Sequence, residues 1–169
     1  MQRILTGTIT SGFQFASGEA VGRAENPSPF RAGTLRTQQP YLAALRIDLE
    51  RLVPGLRWGT INLRLGEELV LGRADHVAEA LDWTREETGA GRIPPETFSF
   101  VHCCFVYARG GAGGCAYHPG LIYYPHPETK PTTNAHRYDV LEILTTPVAG
   151  LKTGAEASLV CRADAFRPR

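Results

Sequence analysis

The sequence is organised around one turn and strand, Trp58-Gly59-Thr60-Ile61-Asn62-Leu63-Arg64-Leu65. Thr60 and Asn62 are two residues apart, so on an extended backbone their side chains point to one face, while the intervening isoleucine and leucines point to the other. A hydroxyl and an amide above a buried apolar face suit a site for a hard cation or a phosphate. The same alternation is also typical of an ordinary surface strand. In such a strand Thr60 would be present because threonine favours strands, and Asn62 because it occupies a bulge.

Short apolar segments on both sides of this stretch predict further strands, because they either alternate or run without interruption for strand-like lengths. The predicted strands are residues 3–10, 59–65, 69–71, 98–108, 115–124, 139–145 and 157–161. Many short strands with one clear helix are typical of an all-β or mainly β barrel. No internal repeat or linker divides the chain, so we predict a single domain over residues 1–169.

Two segments between these strands have a pattern that favours helix. From Gln39 to Leu52, apolar residues recur at helical spacing, with Pro40 in the first turn and Pro54-Gly55 closing the element. We therefore predict one main amphipathic helix over residues 39–52. Residues 76–83 predict a second, brief helix.

Composition excludes several classes of protein. With 43% hydrophobic and 21% charged residues, the 169-residue chain has enough apolar side chains for a core and is not expected to be disordered. A formal net charge of +1 predicts no general attraction to nucleic acid or membrane. The first residues lack the apolar segment of a signal peptide, so we expect a cytoplasmic protein with reduced cysteines.

The cysteines and histidines offer a possible zinc site. His102-Cys103-Cys104 and Cys115-x-x-His118 lie on either side of a predicted hairpin. Adjacent residues on a strand point to opposite faces, so His102 and Cys104 could share a face but Cys103 could not. Cysteine as a small buried apolar residue is the alternative that we favour. No Gly-x-Ser-x-Gly motif or selective Cys–His spacing indicates covalent catalysis.

Two further features are candidates for ligand contact. Residues 11–22 contain Gly12, Gly18 and Gly22, which could let backbone N–H groups approach an anion. Glu142 occupies a polar position of the predicted strand 139–145, which otherwise suits a core. Its carboxylate either lies on a surface face or points toward a ligand cavity.

The order of these features resembles the archaeal-type CTP-dependent riboflavin kinase family, of which the chain would be a divergent member. In that family a first strand leads to a glycine-rich loop, a helix-bearing segment and a Gly-Thr-Leu-Asn-like strand, and a later strand has a Gly-Ala-Ile-Val-x-Pro-like pattern. The matching segments here are residues 7–22, residues 39–52, Gly59-Thr60-Ile61-Asn62, Gly120-Leu121-Ile122-Tyr123-Tyr124-Pro125 and Asp139-Val140-Leu141-Glu142-Ile143-Leu144.

This resemblance implies a six-stranded cradle-loop (RIFT-type) barrel and a set of site residues. Thr60 and Asn62 would hold the magnesium ion that bridges the nucleotide phosphates, a role that suits neutral oxygen ligands. Gly12, Gly18 and Gly59 would lie at the phosphates. The flavin side would be formed by Glu142, which would also be the catalytic residue, and by His136.

The function implied by the resemblance is phosphorylation of riboflavin to FMN, with CTP as the phosphoryl donor and Mg²⁺ as the cofactor. Two alternatives remain open. The barrel could bind a flavin or a nucleotide without catalysis, or it could phosphorylate a different alcohol. In each case the expected partners are small molecules, with no nucleic acid, membrane or obligate protein partner.

Overall fold

The computed structural model describes residues 1–11, 30, 32–84, 93–108, 114–130 and 137–169. In these residues nine strands and two α-helices are present. The strands are β1 (Gln2–Thr10), β2 (Ile61–Leu65), β3 (Leu69–Leu71), β4 (His76–Leu81), β5 (Glu96–Ala108), β6 (Cys115–Pro125), β7 (Val140–Thr145), β8 (Glu156–Arg162) and β9 (Phe166–Pro168). The helices are α1 (Thr34–Ala44) and α2 (Leu49–Leu52), and a 3₁₀ turn spans Pro127–Thr129.

Six of the strands form a closed antiparallel barrel. The order is β5-β6-β7-β2-β1-β8, and β8 pairs again with β5 to complete the ring. The expectation of a mainly β protein built on a six-stranded barrel is therefore confirmed. Seven strands overlap strands expected from the sequence, namely β1, β2, β3, β5, β6, β7 and β8.

The long strand β5 belongs to two layers. Its second half, from Cys103 to Val106, pairs with β8 and so closes the wall of the barrel. Its first half pairs with β4, which is not part of the barrel. β3 and β9 form a separate two-stranded sheet.

The segment from His76 to Trp83 was predicted as a brief helix, and this prediction is wrong. Its first six residues form β4 because the first half of β5 offers them backbone hydrogen bonds. A bulge lies within β4 between Ala78 and Leu81, where Ala80 has φ 46°.

The barrel encloses an apolar core made by alternate residues of every strand. Ile61, Leu63 and Leu65 of β2 point inward, as their spacing predicted. They meet Leu141 and Ile143 of β7. The close pairing of β1 with β2 requires Gly7, because a Cβ atom there would lie 2.2 Å from the backbone oxygen of Arg64.

The predicted single helix over residues 39–52 is replaced by two helices, and the first begins earlier. α1 ends because Arg46 adopts a left-handed conformation, with φ 64°, and the N–H groups of residues 45–47 bond back to Leu42 and Ala43. Asp48 then starts α2 by accepting hydrogen bonds from the N–H groups of Glu50 and Arg51. Pro40 lies inside α1 rather than in a first turn.

A second apolar core joins the helices to the outer face of the barrel. Leu35 and Leu42 of α1 and Leu49 of α2 are fully buried against it. The strand residues of this core alternate with those of the inner core, so the same strands are apolar on both faces where the helices cover them. Across the described ranges, neither helix has the length and apolar character that crossing a membrane requires.

Candidate functional site

A line of polar side chains crosses the outer face of the barrel beside the helices. In the pairing of β2 with β7, Asn62 lies directly opposite Glu142, and Glu142 in turn lies opposite Tyr123 of β6. On the other side of β2, Thr10 at the end of β1 lies opposite Asn62. Antiparallel partners have Cβ atoms about 4.5–5.5 Å apart, so these side chains are neighbours although they are far apart in sequence.

The Glu142 carboxylate is the centre of this line. It is half-buried and accepts a hydrogen bond from the hydroxyl of Thr60, which immediately precedes β2. Burial raises the pKa of Glu142 above its usual value, while the positive charge of Lys130 and the hydrogen bond from Thr60 act in the opposite direction. Burial has the larger effect because it removes water from the charged form. Glu142 therefore holds a proton more tightly than an exposed glutamate does.

Tyr123 connects this carboxylate to the helical layer. Its hydroxyl donates to Gln38 Oε1 of α1 across 3.3 Å, and both side chains are buried. Its ring stacks on Phe98 at 5.6 Å between centroids, with an angle of 18° between the planes. Burial, followed by the charges of Glu142 and Glu96, raises the pKa of Tyr123 well above its usual value. The phenol therefore stays protonated and able to donate to Gln38.

A second buried carboxylate, Glu96, lies at the start of β5 on the same outer face. Its Oε2 accepts a hydrogen bond of 2.9 Å from Trp83 Nε1. Burial raises the pKa of Glu96, and the Trp83 hydrogen bond and the Lys130 charge oppose that change. Lys130 therefore acts electrostatically on both carboxylates, Glu96 and Glu142. The sequence analysis missed Glu96, Lys130 and Tyr123, because only the folded barrel brings them to Glu142.

A series of side-chain hydrogen bonds connects β5 to the turn that precedes Lys130. Ser99 Oγ lies 2.8 Å from His126 Nε2, and His126 Nδ1 lies 2.9 Å from Glu128 Oε1. These contacts have the order and lengths of a Ser-His-acid triad. Ser99 is fully buried, however, so a substrate could not reach its hydroxyl. The series instead orients the turn, together with the Thr97 N–H group, which donates to Thr129 Oγ1 across 2.9 Å.

The predicted site residues divide into two groups. Thr60, Asn62 and Glu142 come together at the junction of β2 and β7, and Gly59 immediately precedes Thr60. Gly12, Gly18 and His136 lie outside the described residues. The last residue of β1, Thr10, does lie at the site, because it pairs with Asn62.

The possible zinc site on the cysteines has a different outcome. The four cysteines are free thiols, and Cys161 is buried in the inner core as an apolar residue would be. Cys115 is exposed, so it does not serve as a buried apolar residue. Within the described part of the chain, no three His, Cys, Asp or Glu side chains are grouped so as to hold a metal ion.

The donor atoms at the site have the chemistry that magnesium prefers. The Thr60 hydroxyl and the Glu142 carboxylate are hydrogen-bonded to one another, and the Asn62 side chain carries an amide oxygen opposite Glu142. All three are hard oxygen donors, and Mg²⁺ is commonly held by a few such groups together with water and phosphate oxygens. Of these residues, Thr60 and Asn62 would hold the ion, with the Glu142 carboxylate beside them.

The described fold and site define a closed antiparallel barrel with a polar cluster on its outer face, between strands β2, β6 and β7 and helix α1. Comparison of the chain with models of protein families, with curated proteins and with solved structures finds no match.

Proposed function

We propose that this protein is a nucleotide-dependent kinase of a small-molecule alcohol, with riboflavin as the acceptor and CTP as the donor. The observation that carries this proposal is the junction of β2 and β7, where the Thr60 hydroxyl donates to Glu142 and Asn62 lies directly opposite. The two residues proposed for magnesium and the residue proposed for catalysis are thus in one place. If β2 were an ordinary surface strand, Thr60 and Asn62 would have no reason to lie beside a partly buried carboxylate.

Magnesium, when bound, would neutralise charge on the transferring phosphoryl group. The task of Thr60 and Asn62 is then to fix the ion and the phosphates relative to Glu142. The Thr60 hydroxyl can do both, because its proton is donated to Glu142 while its oxygen lone pairs remain available. Positioning of this kind accounts for most of the catalysis in phosphoryl transfer.

Glu142 is suited to accept the proton of the attacking alcohol. The hydroxyl oxygen forms the new bond to the γ-phosphorus, the bond to the nucleoside diphosphate breaks, and the hydroxyl proton passes to the carboxylate. A carboxylate with a raised pKa is a stronger base than an exposed one, and efficient general bases have a pKa near the working pH. The positive charge of Lys130 acts against the effect of burial on the Glu142 pKa and favours the ionised carboxylate.

The same proposal assigns the barrel to the cradle-loop type. Its support is the position of the end of β1, where Thr10 pairs with Asn62 and Asn62 in turn pairs with Glu142. In such a barrel, backbone N–H groups of the glycine-bearing segment would meet the nucleotide phosphates, with Gly59 at the base of the phosphate site.

The test is formation of FMN from riboflavin, CTP and Mg²⁺ by purified protein. We expect Glu142→Gln to lower turnover by about 10²–10⁴-fold, the usual contribution of a positioned general base. Glu156→Gln is the matched control, because Glu156 is exposed at the start of β8. Thr60→Val should also lower turnover, whereas Thr153→Val, at an exposed turn, should not.

The proposal is wrong if the wild-type protein forms no phosphorylated product from riboflavin or from other alcohols. In that case a thermal-shift titration distinguishes the remaining possibility of a binding protein. Stabilisation by a flavin or a nucleotide alone, equal in wild type and Glu142→Gln, would identify a barrel that binds without catalysis.

A further inference from the structure

Two histidines form a pair on the outer edge of the molecule, apart from the polar cluster. His76 lies on β4 and His102 on β5, and their Nε2 atoms are 3.2 Å apart. The ring centroids are 5.2 Å apart and the planes are inclined by 71°. His102 is exposed and His76 is half-buried, so solvent reaches the pair. Neither residue belongs to the site proposed for phosphoryl transfer, because β4 is separated from β7 by β5 and β6.

The separation of the two nitrogens matches that of two ligands on one metal ion. Nitrogens that are each about 2.0–2.1 Å from a tetrahedral zinc ion lie about 3.3–3.4 Å from one another. In the metal-free protein the same distance permits one Nε2–H group to donate to the other nitrogen. The pair is therefore already at the spacing that a shared ion requires.

Asp75 fixes the backbone at His102. The Asp75 carboxylate accepts a hydrogen bond of 2.8 Å from the His102 backbone N–H group, and its other oxygen pairs with Arg162 at 3.1 Å. Asp75, the residue next to His76 in sequence, therefore links that end of β4 to the backbone of His102.

We propose that His76 and His102 form a binding site for a divalent late transition-metal ion such as Zn²⁺, with both Nε2 atoms as ligands. On binding, the imidazole that donates through Nε2 takes its proton at Nδ1 instead, so both Nε2 lone pairs face the ion and neither ring gains or loses a net proton. Imidazole suits zinc, copper and nickel, whereas magnesium prefers oxygen. The remaining coordination positions face solvent and are filled by water.

The site would join the edge strand β4 to the rest of the sheet. Among the described strands, β4 pairs only with β5, through residues 76–78 and 81, and its ladder is interrupted by the bulge at Ala80. An ion held by one ligand from each strand links them across the end of this ladder. Because it binds only when the two strands are paired, the ion should stabilise the folded protein by mass action.

The experiment is a zinc titration of the full chain, after treatment with EDTA and dialysis, followed by calorimetry. Wild type should bind one zinc ion at this site, and His76→Asn and His102→Asn should each weaken binding by at least about tenfold, since even loss of an outer partner of a metal ligand costs 10–100-fold. His118→Gln is the matched control, because His118 bonds to Thr146 on another part of the sheet. Zinc should also raise the melting temperature of wild type and of the control, but not of the two His→Asn variants.

A second measurement does not depend on the variants. Addition of one equivalent of zinc to wild type should shift the imidazole C–H resonances of His76 and His102 together, and before those of His118 and His126. The proposal is overturned if wild type binds no zinc, if both variants bind it as tightly as wild type, or if other histidines respond first. The test is independent of kinase activity, since it uses neither nucleotide nor acceptor.

Discussion

The two faces of strands β6 and β7 differ in kind, although they are made by alternate residues of the same segments. The inner face carries Ile122, Leu141 and Ile143, which pack in the closed barrel. The outer face carries Tyr123 and Glu142 between the barrel and helix α1. An inner residue needs only the right volume and an apolar surface, whereas each polar atom on the outer face needs a particular partner. The inner face therefore determines the barrel, and the outer face carries the polar side chains of the candidate site.

The largest test of this difference is removal of an inner side chain. Ile143→Ala should lower the free energy of unfolding by about 2–5 kcal/mol, because Ile143 is fully buried and the truncation leaves a cavity. Urea denaturation monitored by circular dichroism measures the change. Ile4→Ala is the matched control, since Ile4 is 68% exposed, and it should change stability by less than about 0.5 kcal/mol. Equal losses in the two variants would contradict the assignment of the core.

On the outer face, replacement of Glu142 should have an effect of intermediate size and should raise the free energy of unfolding rather than lower it. Since burial raises the pKa of Glu142, the folded protein binds that proton more tightly than the unfolded chain does. Its contribution to stability is therefore fully present below the ordinary value of 4.5 and is lost as pH rises through the raised value. Glu142→Gln should thus be more stable than wild type at pH 7, by about 1–3 kcal/mol, the cost of leaving a buried polar group poorly solvated.

This gain from Glu142→Gln should vanish when the denaturation series is repeated below pH 4, where wild type is protonated as well. Glu156→Gln, which replaces an exposed carboxylate, should show no such pH dependence. A variant that is less stable than wild type at neutral pH would mean that the ionised carboxylate is well solvated or fully paired.

The smallest effect should come from the hydroxyl that joins the barrel to α1. Tyr123→Phe removes the donor to Gln38 and keeps the stacked ring, so stability should fall by about 0.5–1.5 kcal/mol. Tyr117→Phe, at a side chain that is 70% exposed, is the control and should be neutral. An equal change in both variants would show that the hydrogen bond to Gln38 contributes nothing to docking of the helix.

The sequence predicts the barrel strands well because their signals are local. The alternation in β2 and β7 and the long apolar run of β5 each lie within one segment. The same local pattern was misleading for β4, whose residues have no strong strand preference and become a strand because β5 lies beside them. Residues 39–52 kept helical spacing through Arg46, and the sequence did not indicate that its backbone would turn left-handed there.

The candidate site was predicted only in part, for a similar reason. Thr60 immediately precedes β2 and Asn62 lies in it, two residues further on, so a common face was predicted from spacing alone. Glu142 was found as a polar residue in an apolar strand. Sheet pairing brings Tyr123 beside Glu142, and helix packing brings Gln38 to Tyr123. The fold also brings the charge of Lys130 near Glu142. The order of residues in the sequence does not reveal these contacts.

The closure of the barrel has a consequence for how the chain is made. β1 pairs with β8 from Gln2↔Arg162 to Thr8↔Glu156, so two neighbouring strands are encoded at nearly opposite ends of the sequence. During synthesis, β1 leaves the ribosome long before β8 has been made. Until then, the edge of β1 that pairs with β8 has no partner strand. Pairings of such separation make folding slow, and an unpaired strand edge invites association with other chains. The edge of β1 that β8 covers in the folded protein therefore stays open to other chains until β8 has been made.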